Sequence, residues 1–154
     1  MKAYKSSKKP PLIASEAAVA YALSPLKLVS GSVGLGVIRT ARAGIKTGYF
    51  LELGARMGFS MQELATVLNV SLRTLQRYDA DQVLDADQSA KVISLELLNG
   101  HGIEVFGDQH SFNEWLRIPV AELDDKSPLS YLDTPFGFMV LEQILGRIEH
   151  GIFA

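Results

Sequence analysis

Apolar residues recur every three or four positions along most of the chain after residue 46, and this spacing is typical of amphipathic helices. No two neighbouring segments alternate apolar and polar residues around a tight turn, as a strand pair would. The pattern therefore predicts an all-α protein. The predicted helices cover residues 47–57, 61–68, 72–80, about 87–98, 111–117 and 135–150. The last one places its apolar residues on one face, at Phe138, Leu141, Ile144, Leu145 and Ile148.

Residues that favour helix ends mark most of these boundaries. Ser60 and Glu63 have the spacing of a capping box, in which each side chain bonds to the other residue's backbone N–H. Gly58 and Gly151 are placed to close helices, because glycine adopts the left-handed conformation easily. The run at residues 99–102, Asn-Gly-His-Gly, either ends the fourth helix or kinks it. The other predicted starts are Ser71, Ser127-Pro128 and Thr134-Pro135.

The first 46 residues carry weaker signals. Residues 1–13 are predicted to be a disordered basic tail, and Ser15 is predicted to cap a short helix over residues 16–23 that Pro25 limits. The glycines at 31, 34 and 36 reverse the dinucleotide-binding fingerprint, and no strand-turn-helix unit surrounds them. We therefore interpret these glycines as a connection.

Residues 59–78 (FSMQELATVLNVSLRTLQRY) carry the sharpest functional signal, two short helices joined by a tight turn. Helices that cross steeply need a small residue at the crossing, and Ala65 supplies it. The turn needs a residue that tolerates positive φ, and Asn69 is the best choice after glycine. This spacing predicts a helix-turn-helix. Its expected apolar plugs are Leu64, Leu68, Val70 and Leu75.

The second helix of this motif is expected to face DNA. Arg73, Gln76 and Arg77 share one face, and Arg and Gln make bidentate contacts to guanine and adenine edges. Ser71 and Thr74 lie near the helix N-terminus, where phosphate contacts are expected. The alternative is a helical hairpin with a polar, solvated face. Because one motif reads only a short half-site, we expect a homodimer formed through the helix before or after the motif.

Charge divides the chain into two unequal halves. Residues 1–78 carry 11 Lys or Arg against 3 acids, a net charge of +8, whereas residues 79–154 carry 4 against 14, a net charge of −10. This asymmetry indicates a polyanionic partner for the first half and a different partner for the second, unless the uneven charge has no function.

Composition narrows the protein class further. Cysteine is absent, which excludes disulfides, thiolate zinc sites and cysteine nucleophiles. No apolar run reaches the roughly 18 residues of a membrane helix, and Pro10, Pro11 and Glu16 interrupt the signal-peptide-like start. We therefore expect a cytoplasmic protein with no membrane partner.

No group of residues points to catalysis. The chain has no G-x-S-x-G, H-E-x-x-H or P-loop motif and no acidic calcium loop. His101, His110 and His150 lack the spacing of metal ligands and are expected to be surface or cap residues. We expect no enzymatic activity, no cofactor and no metal. Trp115 is expected to anchor the core.

The last residues are unusually apolar for a chain end. Ile152 and Phe153 lie beyond the last predicted helix, where chain ends are normally polar. These two side chains either fold back onto the core of their own domain or enter a partner.

A series of short motifs runs from about residue 42 to residue 154. They are Arg42-Ala43-Gly44, the helix-turn-helix, Ser89, Val105-Phe106-Gly107-Asp108, Glu114-Trp115-Leu116-Arg117-x-Pro119, Ser127-Pro128-Leu129, Leu132-Asp133-Thr134 and the run Gly146-Arg147-Ile148-Glu149-His150-Gly151. Their order resembles the Xre/MbcA/ParS antitoxins, which pair with RES-domain toxins in bacterial type II toxin–antitoxin modules. The resemblance implies an operator-binding repressor region and a C-terminal region that covers the active-site cleft of an NAD-depleting toxin. Family members often carry Gly where this chain has Asn69.

The resemblance and the charge pattern together predict three segments. They are an N-terminal segment (1–41), a helix-turn-helix region (42–98) and a toxin-binding region (99–154), the last two physically separate. We expect the toxin's substrate entrance to be blocked by the tail, with Phe153 as an apolar plug. The tail residues are Arg147, Glu149, His150, Gly151, Ile152, Phe153 and Ala154. The alternative is a free-standing helix-turn-helix regulator without a toxin partner.

Overall fold

The computed structural model describes residues 33–152, and these residues form helices with only two isolated β-bridges between them. The prediction of an all-α protein is therefore confirmed for this part of the chain. The α-helices are α1 (Val33–Ala43), α2 (Thr47–Arg56), α3 (Met61–Leu68), α4 (Leu72–Gln76), α5 (Ala86–Phe106), α6 (Gln109–Trp115) and α7 (Pro135–Glu149). Two 3-10 helices, Ala121–Leu123 and Pro128–Tyr131, lie between α6 and α7.

Helix α5 lies at the centre of the fold, and α1, α3, α6 and α7 pack against it. One continuous hydrophobic core includes Phe50 of α2, Leu75 of α4, Phe112 of α6 and Leu141 of α7. The predicted helix-turn-helix and C-terminal regions thus share a core. The prediction that they are physically separate is wrong, because α5 supplies buried side chains to both.

The predicted capping residues begin most of the helices. Ser60 and Glu63 form both bonds of the capping box of α3. The side chain of Thr134 accepts a hydrogen bond from the backbone N–H of Gly137 at the start of α7. Ser127 is an exception, because its side chain makes no capping bond and the following turn is a 3-10 helix.

Helix α4 is shorter than predicted, since it ends at Gln76 rather than at residue 80. The residues after Gln76 leave the helical path, and their carbonyl groups bond to the start of α2 instead. The backbone N–H groups of Thr47 and Gly48 donate to the carbonyls of Gln82 and Ala80, at 2.8 and 2.9 Å. These bonds satisfy free N–H groups at the start of α2.

Helix α5 continues eight residues beyond residue 98, so of the two alternatives for residues 99–102, a helix end or a kink, the helix end is wrong. Asn99 is buried there, and its side-chain oxygen accepts a hydrogen bond from Gln109 at 2.8 Å. Gly102 lies against the ring of Phe112, where an added Cβ would come within 2.2 Å of ring carbons. These polar and glycine residues therefore let α6 pack closely against α5 without interrupting α5.

Two other boundaries differ from the predictions. Gly34 and Gly36 lie within α1, so the interpretation of these residues as a connection is wrong. Helix α6 begins at Gln109 rather than at residue 111, because Asp108 caps it by accepting from the backbone N–H of Ser111 at 2.7 Å.

The remaining predictions concern residues that the structure does not describe. The basic tail, the helix expected after Ser15 and the side chains of Phe153 and Ala154 lie outside residues 33–152. Within that described range, no helix is long and apolar enough to cross a bilayer.

Candidate functional site

The turn between α3 and α4 has the predicted geometry. Ala65 is fully buried where the two helices cross. Asn69 adopts the left-handed conformation with φ of 54°, and the backbone N–H of Val70 donates to the Ala65 carbonyl at 3.0 Å. This is the bond pattern of a Schellman motif, which ends α3 and directs the chain into α4. Leu64, Leu68 and Leu75 are buried as expected, whereas Val70 is only half-buried.

Helix α2 supports this motif through a contact that the sequence analysis missed. Gly54 faces Leu64 of α3, and a Cβ at position 54 would lie within 2.5 Å of a Leu64 methyl carbon. A glycine inside a helix costs about 1 kcal/mol relative to alanine, so its presence was a usable signal of close approach.

Helix α4 presents the predicted polar face to solvent. Arg73, Thr74, Gln76 and Arg77 are all exposed, while Leu75 between them is buried. No carboxylate among residues 33–152 forms an ion pair with Arg73 or Arg77. Arg77 follows the last helical residue but keeps helical backbone angles, so it stays on the face of Arg73. As far as the described part of the chain shows, two guanidinium groups without a carboxylate partner and one amide are therefore available to a ligand.

The hydroxyl groups of Ser71 and Thr74, at the start of α4, form a hydrogen bond with each other. The Ser71 oxygen accepts from the backbone N–H of Thr74 at 3.0 Å, and the two hydroxyl oxygens are 2.8 Å apart. Only one of the two hydroxyl hydrogens is used in that second bond. The other remains available to an acceptor such as a phosphate oxygen.

The end of α7 turns back on itself. The backbone N–H of Gly151, whose φ is 65°, donates to the Ile148 carbonyl at 3.0 Å, and that of Ile152 donates to the Arg147 carbonyl at 2.8 Å. These bonds form a Schellman motif, and the redirecting turn predicted at Gly151 is confirmed. Ile152 is 60% exposed after this turn.

The charged side chains near this end are already paired. Arg147 forms an ion pair with Glu122, and Glu149 lies 3.3 Å from Nε2 of His101. His150 follows the helix and is exposed. The structure therefore brings the described tail residues to one end of α7, but only Ile152 offers an apolar side chain there.

His101 differs from its prediction as a surface or cap residue. It lies in the last third of α5, half-buried, with Nδ1 2.6 Å from Glu142 and Nε2 facing Glu149 of α7. Burial disfavours the charged ring, but the hydrogen bonds and negative charges of the two glutamates outweigh it and raise the pKa of His101.

The outer face of α7 exposes three large apolar side chains that the sequence analysis did not single out. They are Phe136, Met139 and Val140, spaced as neighbours on one helix face, and Phe136 is 75% exposed. The predicted core anchor Trp115 is only half-buried, but its ring packs on Phe106 and Phe112 with centroids 5.4 and 6.0 Å away.

Hydrogen bonds also join the helix-turn-helix to the C-terminal region. The Arg117 guanidinium donates to both carboxylate oxygens of Glu63, at 2.8 and 3.1 Å, and to the Gly58 carbonyl at 2.6 Å. This bidentate bond is the main reason that the pKa of Glu63 is lowered. The Asn69 side chain donates to the Asp133 carbonyl at 3.1 Å.

Two protein families match consecutive parts of the chain. Residues 36–95 match the family described as antitoxin Xre-like helix-turn-helix domain. Residues 101–151 match the family described as antitoxin Xre/MbcA/ParS C-terminal toxin-binding domain. The boundary between the matches falls inside the continuous helix α5.

Two curated proteins are similar to the chain. Antitoxin Xre of Photorhabdus laumondii is 27% identical over 96 residues, which cover 61% of this chain and 65% of that protein. Antitoxin Xre of Yersinia enterocolitica is 26% identical over 94 residues, which cover 60% and 64%. The chain thus spans slightly less than two thirds of the curated relatives it matches. From its helices and these matches, the chain carries an Xre-like antitoxin helix-turn-helix domain followed by an Xre/MbcA/ParS C-terminal domain.

Proposed function

We propose that this chain is the antitoxin of a bacterial toxin–antitoxin module, in which it inhibits a RES-type, NAD-depleting toxin and represses its own operon as a homodimer. The observation that carries the proposal is the juxtaposition of two different surfaces on one core. Helix α4 presents two cations that no carboxylate of residues 33–152 pairs, and α7 presents apolar side chains in a domain matched to toxin-binding sequences.

In the DNA-binding half, Arg73, Gln76 and Arg77 read base edges in the major groove. Their spacing puts the three side chains on one face, and the buried Leu75 holds that face outward. Ser71 and Thr74 contact the phosphate backbone through the hydroxyl hydrogen that their mutual bond leaves available.

In the toxin-binding half, residues 147–154 occlude the toxin's substrate entrance. The redirecting turn at Gly151 and the exposed side chain of Ile152 support this placement, because an apolar group at a chain end gains free energy when a partner covers it. The apolar face formed by Phe136, Met139 and Val140 enlarges the surface available to the same partner.

The test is to co-express the chain with a RES-domain protein encoded beside it and to measure cellular NAD. We expect NAD to fall when the RES-domain protein is expressed alone and to be restored by the chain. The matched control is Arg77→Ala, which should protect NAD as well as the wild type does while binding the operator more weakly. If NAD falls equally with and without the chain, the free-standing regulator is the better interpretation.

A further inference from the structure

Helix α3 is held at both ends by side-chain hydrogen bonds to the C-terminal domain. At its N-terminal end, Arg117 binds the Glu63 carboxylate and the Gly58 carbonyl. At its C-terminal end, Asn69 donates to the Asp133 carbonyl. Each bond joins residues more than fifty positions apart in the sequence, so neither is a consequence of local helix geometry.

The middle of α3 borders a pocket on that side. A cavity of about 220 Å³ lies between α3 and the 3-10 helix Pro128–Tyr131, and it is lined by Thr66, Val67, Leu129 and Leu132 among others. Val67 and Leu132 are nevertheless buried in the hydrophobic core, so core packing and the two end contacts together hold α3 on this face.

The second end contact leads directly into α7. Asp133 immediately precedes Thr134, whose side chain caps this helix. Gly137 in the first turn packs so closely that a Cβ there would lie 1.6 Å from the Tyr131 carbonyl oxygen. The start of α7 therefore has little freedom to move independently of Asp133.

From these contacts we propose that Asn69 and Arg117 are positioning residues that couple the DNA-binding surface of α3 and α4 to the far end of α7. Helix α7 is the connecting rigid element, and its end carries the Schellman turn at Gly151. Ordering of α3 on DNA then reduces the motion of α7, and a partner bound to α7 favours the DNA-bound position of α3. This reciprocity is required of any two linked binding equilibria. The inference rests on the proposed DNA binding.

The experiment measures backbone hydrogen exchange of the full chain with and without a saturating DNA duplex from the region upstream of its own gene. In the wild type, we expect DNA to slow exchange at the N–H groups of Gly137 and Ile152 by about fivefold or more. Saturation keeps any change in DNA affinity from being mistaken for a change in coupling.

Two substitutions at the turn separate the amide bond from the backbone conformation. Asn69→Gly retains the left-handed φ and loses the side-chain donor, and Asn69→Asp also tolerates this φ but cannot donate. Both variants should still bind the duplex, and both should lose the DNA-dependent slowing at Ile152. Arg117→Lys should weaken the slowing because lysine cannot make the bidentate bond. The matched control is Lys126→Ala, since the Lys126 side chain is exposed and forms no ion pair within residues 33–152.

The outcomes distinguish the two proposals. Normal DNA binding without slower exchange in α7 would overturn the coupling alone. Unchanged slowing in both Asn69 variants would also overturn it. A wild-type chain that binds no duplex would overturn the proposed DNA binding, and the coupling with it.

Discussion

The surfaces of α4 and α7 differ in whether their charged side chains form ion pairs and whether their apolar side chains are exposed. Helix α4 exposes Arg73 and Arg77 without carboxylate partners among the described residues and buries its central Leu75. At the end of α7, Arg147 and Glu149 are both paired, while Ile152 is exposed. Unpaired cations attract a polyanion over a distance, whereas exposed apolar side chains gain free energy only on contact.

This difference supports the proposal that each surface binds a separate partner, although both lie on one core. The net charges of +8 on residues 1–78 and −10 on residues 79–154 also favour two different partners. Substitutions on the two surfaces should therefore change different binding reactions, while substitutions in the core should change both.

The largest effect is expected from Leu75→Ala. Leu75 is 1% exposed beneath the recognition face, and truncation of a buried leucine lowers the free energy of unfolding by about 2–5 kcal/mol. Urea denaturation followed by circular dichroism measures this loss, and DNA binding should fall with it. A variant of normal stability that no longer binds DNA would show instead that Leu75 contacts the ligand.

Arg73→Ala and Arg77→Ala should weaken operator binding without changing stability. The loss of one bidentate base contact costs about 1–3 kcal/mol and relaxes specificity at one position. Titration of a labelled operator at fixed salt measures the effect, and Arg147→Ala on the other surface is the matched control. Unchanged affinity in both α4 variants would rule out this helix as the recognition helix.

Two glycines of α5 should respond oppositely to alanine. Gly102→Ala places a methyl group against the Phe112 ring and should destabilise the protein by about 1–3 kcal/mol. At Gly100 no atom lies within 4 Å of an added Cβ, so Gly100→Ala should stabilise the helix by up to about 1 kcal/mol. Thermal unfolding compares them, and equal effects would contradict the packing of α6 on α5.

The smallest effect concerns the pH dependence that His101 adds to stability. Its folded-state pKa is raised above its ordinary value near 6.5, so its stabilising contribution is complete below about pH 6.5. That contribution is lost as pH rises through the folded-state pKa. Partial exposure limits it to below about 1 kcal/mol. His101→Gln should remove this part of the pH dependence in urea denaturation at pH 5.5 and 8.5, and an unchanged profile would contradict the bridge to α7.

Local signals predicted the helix-turn-helix well. The capping box at Ser60, the small residue at position 65 and the turn at Asn69 act within a few residues of one another, and the structure contains all three. The length of α4 could not be predicted in the same way. Its end depends on bonds from Gly48 to Ala80, and those bonds exist only after α2 has been placed.

The hydrogen bonds between the two domains could not be predicted from the local sequence either. Arg117 and Glu63 are 54 positions apart, and nothing in either neighbourhood specifies the other. Of the two alternatives for residues 99–102, the helix end was wrong, although polar and glycine residues usually mark helix ends. Here Asn99 accepts a hydrogen bond from Gln109, and Gly102 leaves space for the ring of Phe112.

The most direct test of the proposed division of labour is a chain that stops after Gly146. It retains the recognition helix and the buried residues Phe138, Leu141, Ile144 and Leu145 of α7, but it lacks the redirecting turn and the tail. Operator binding in vitro and NAD levels in cells expressing the toxin are measured on the same chain. We expect operator binding to survive and NAD to fall as if no antitoxin were present. If this chain still protects NAD fully, residues 147–154 do not occlude the toxin, and inhibition lies elsewhere in the C-terminal domain.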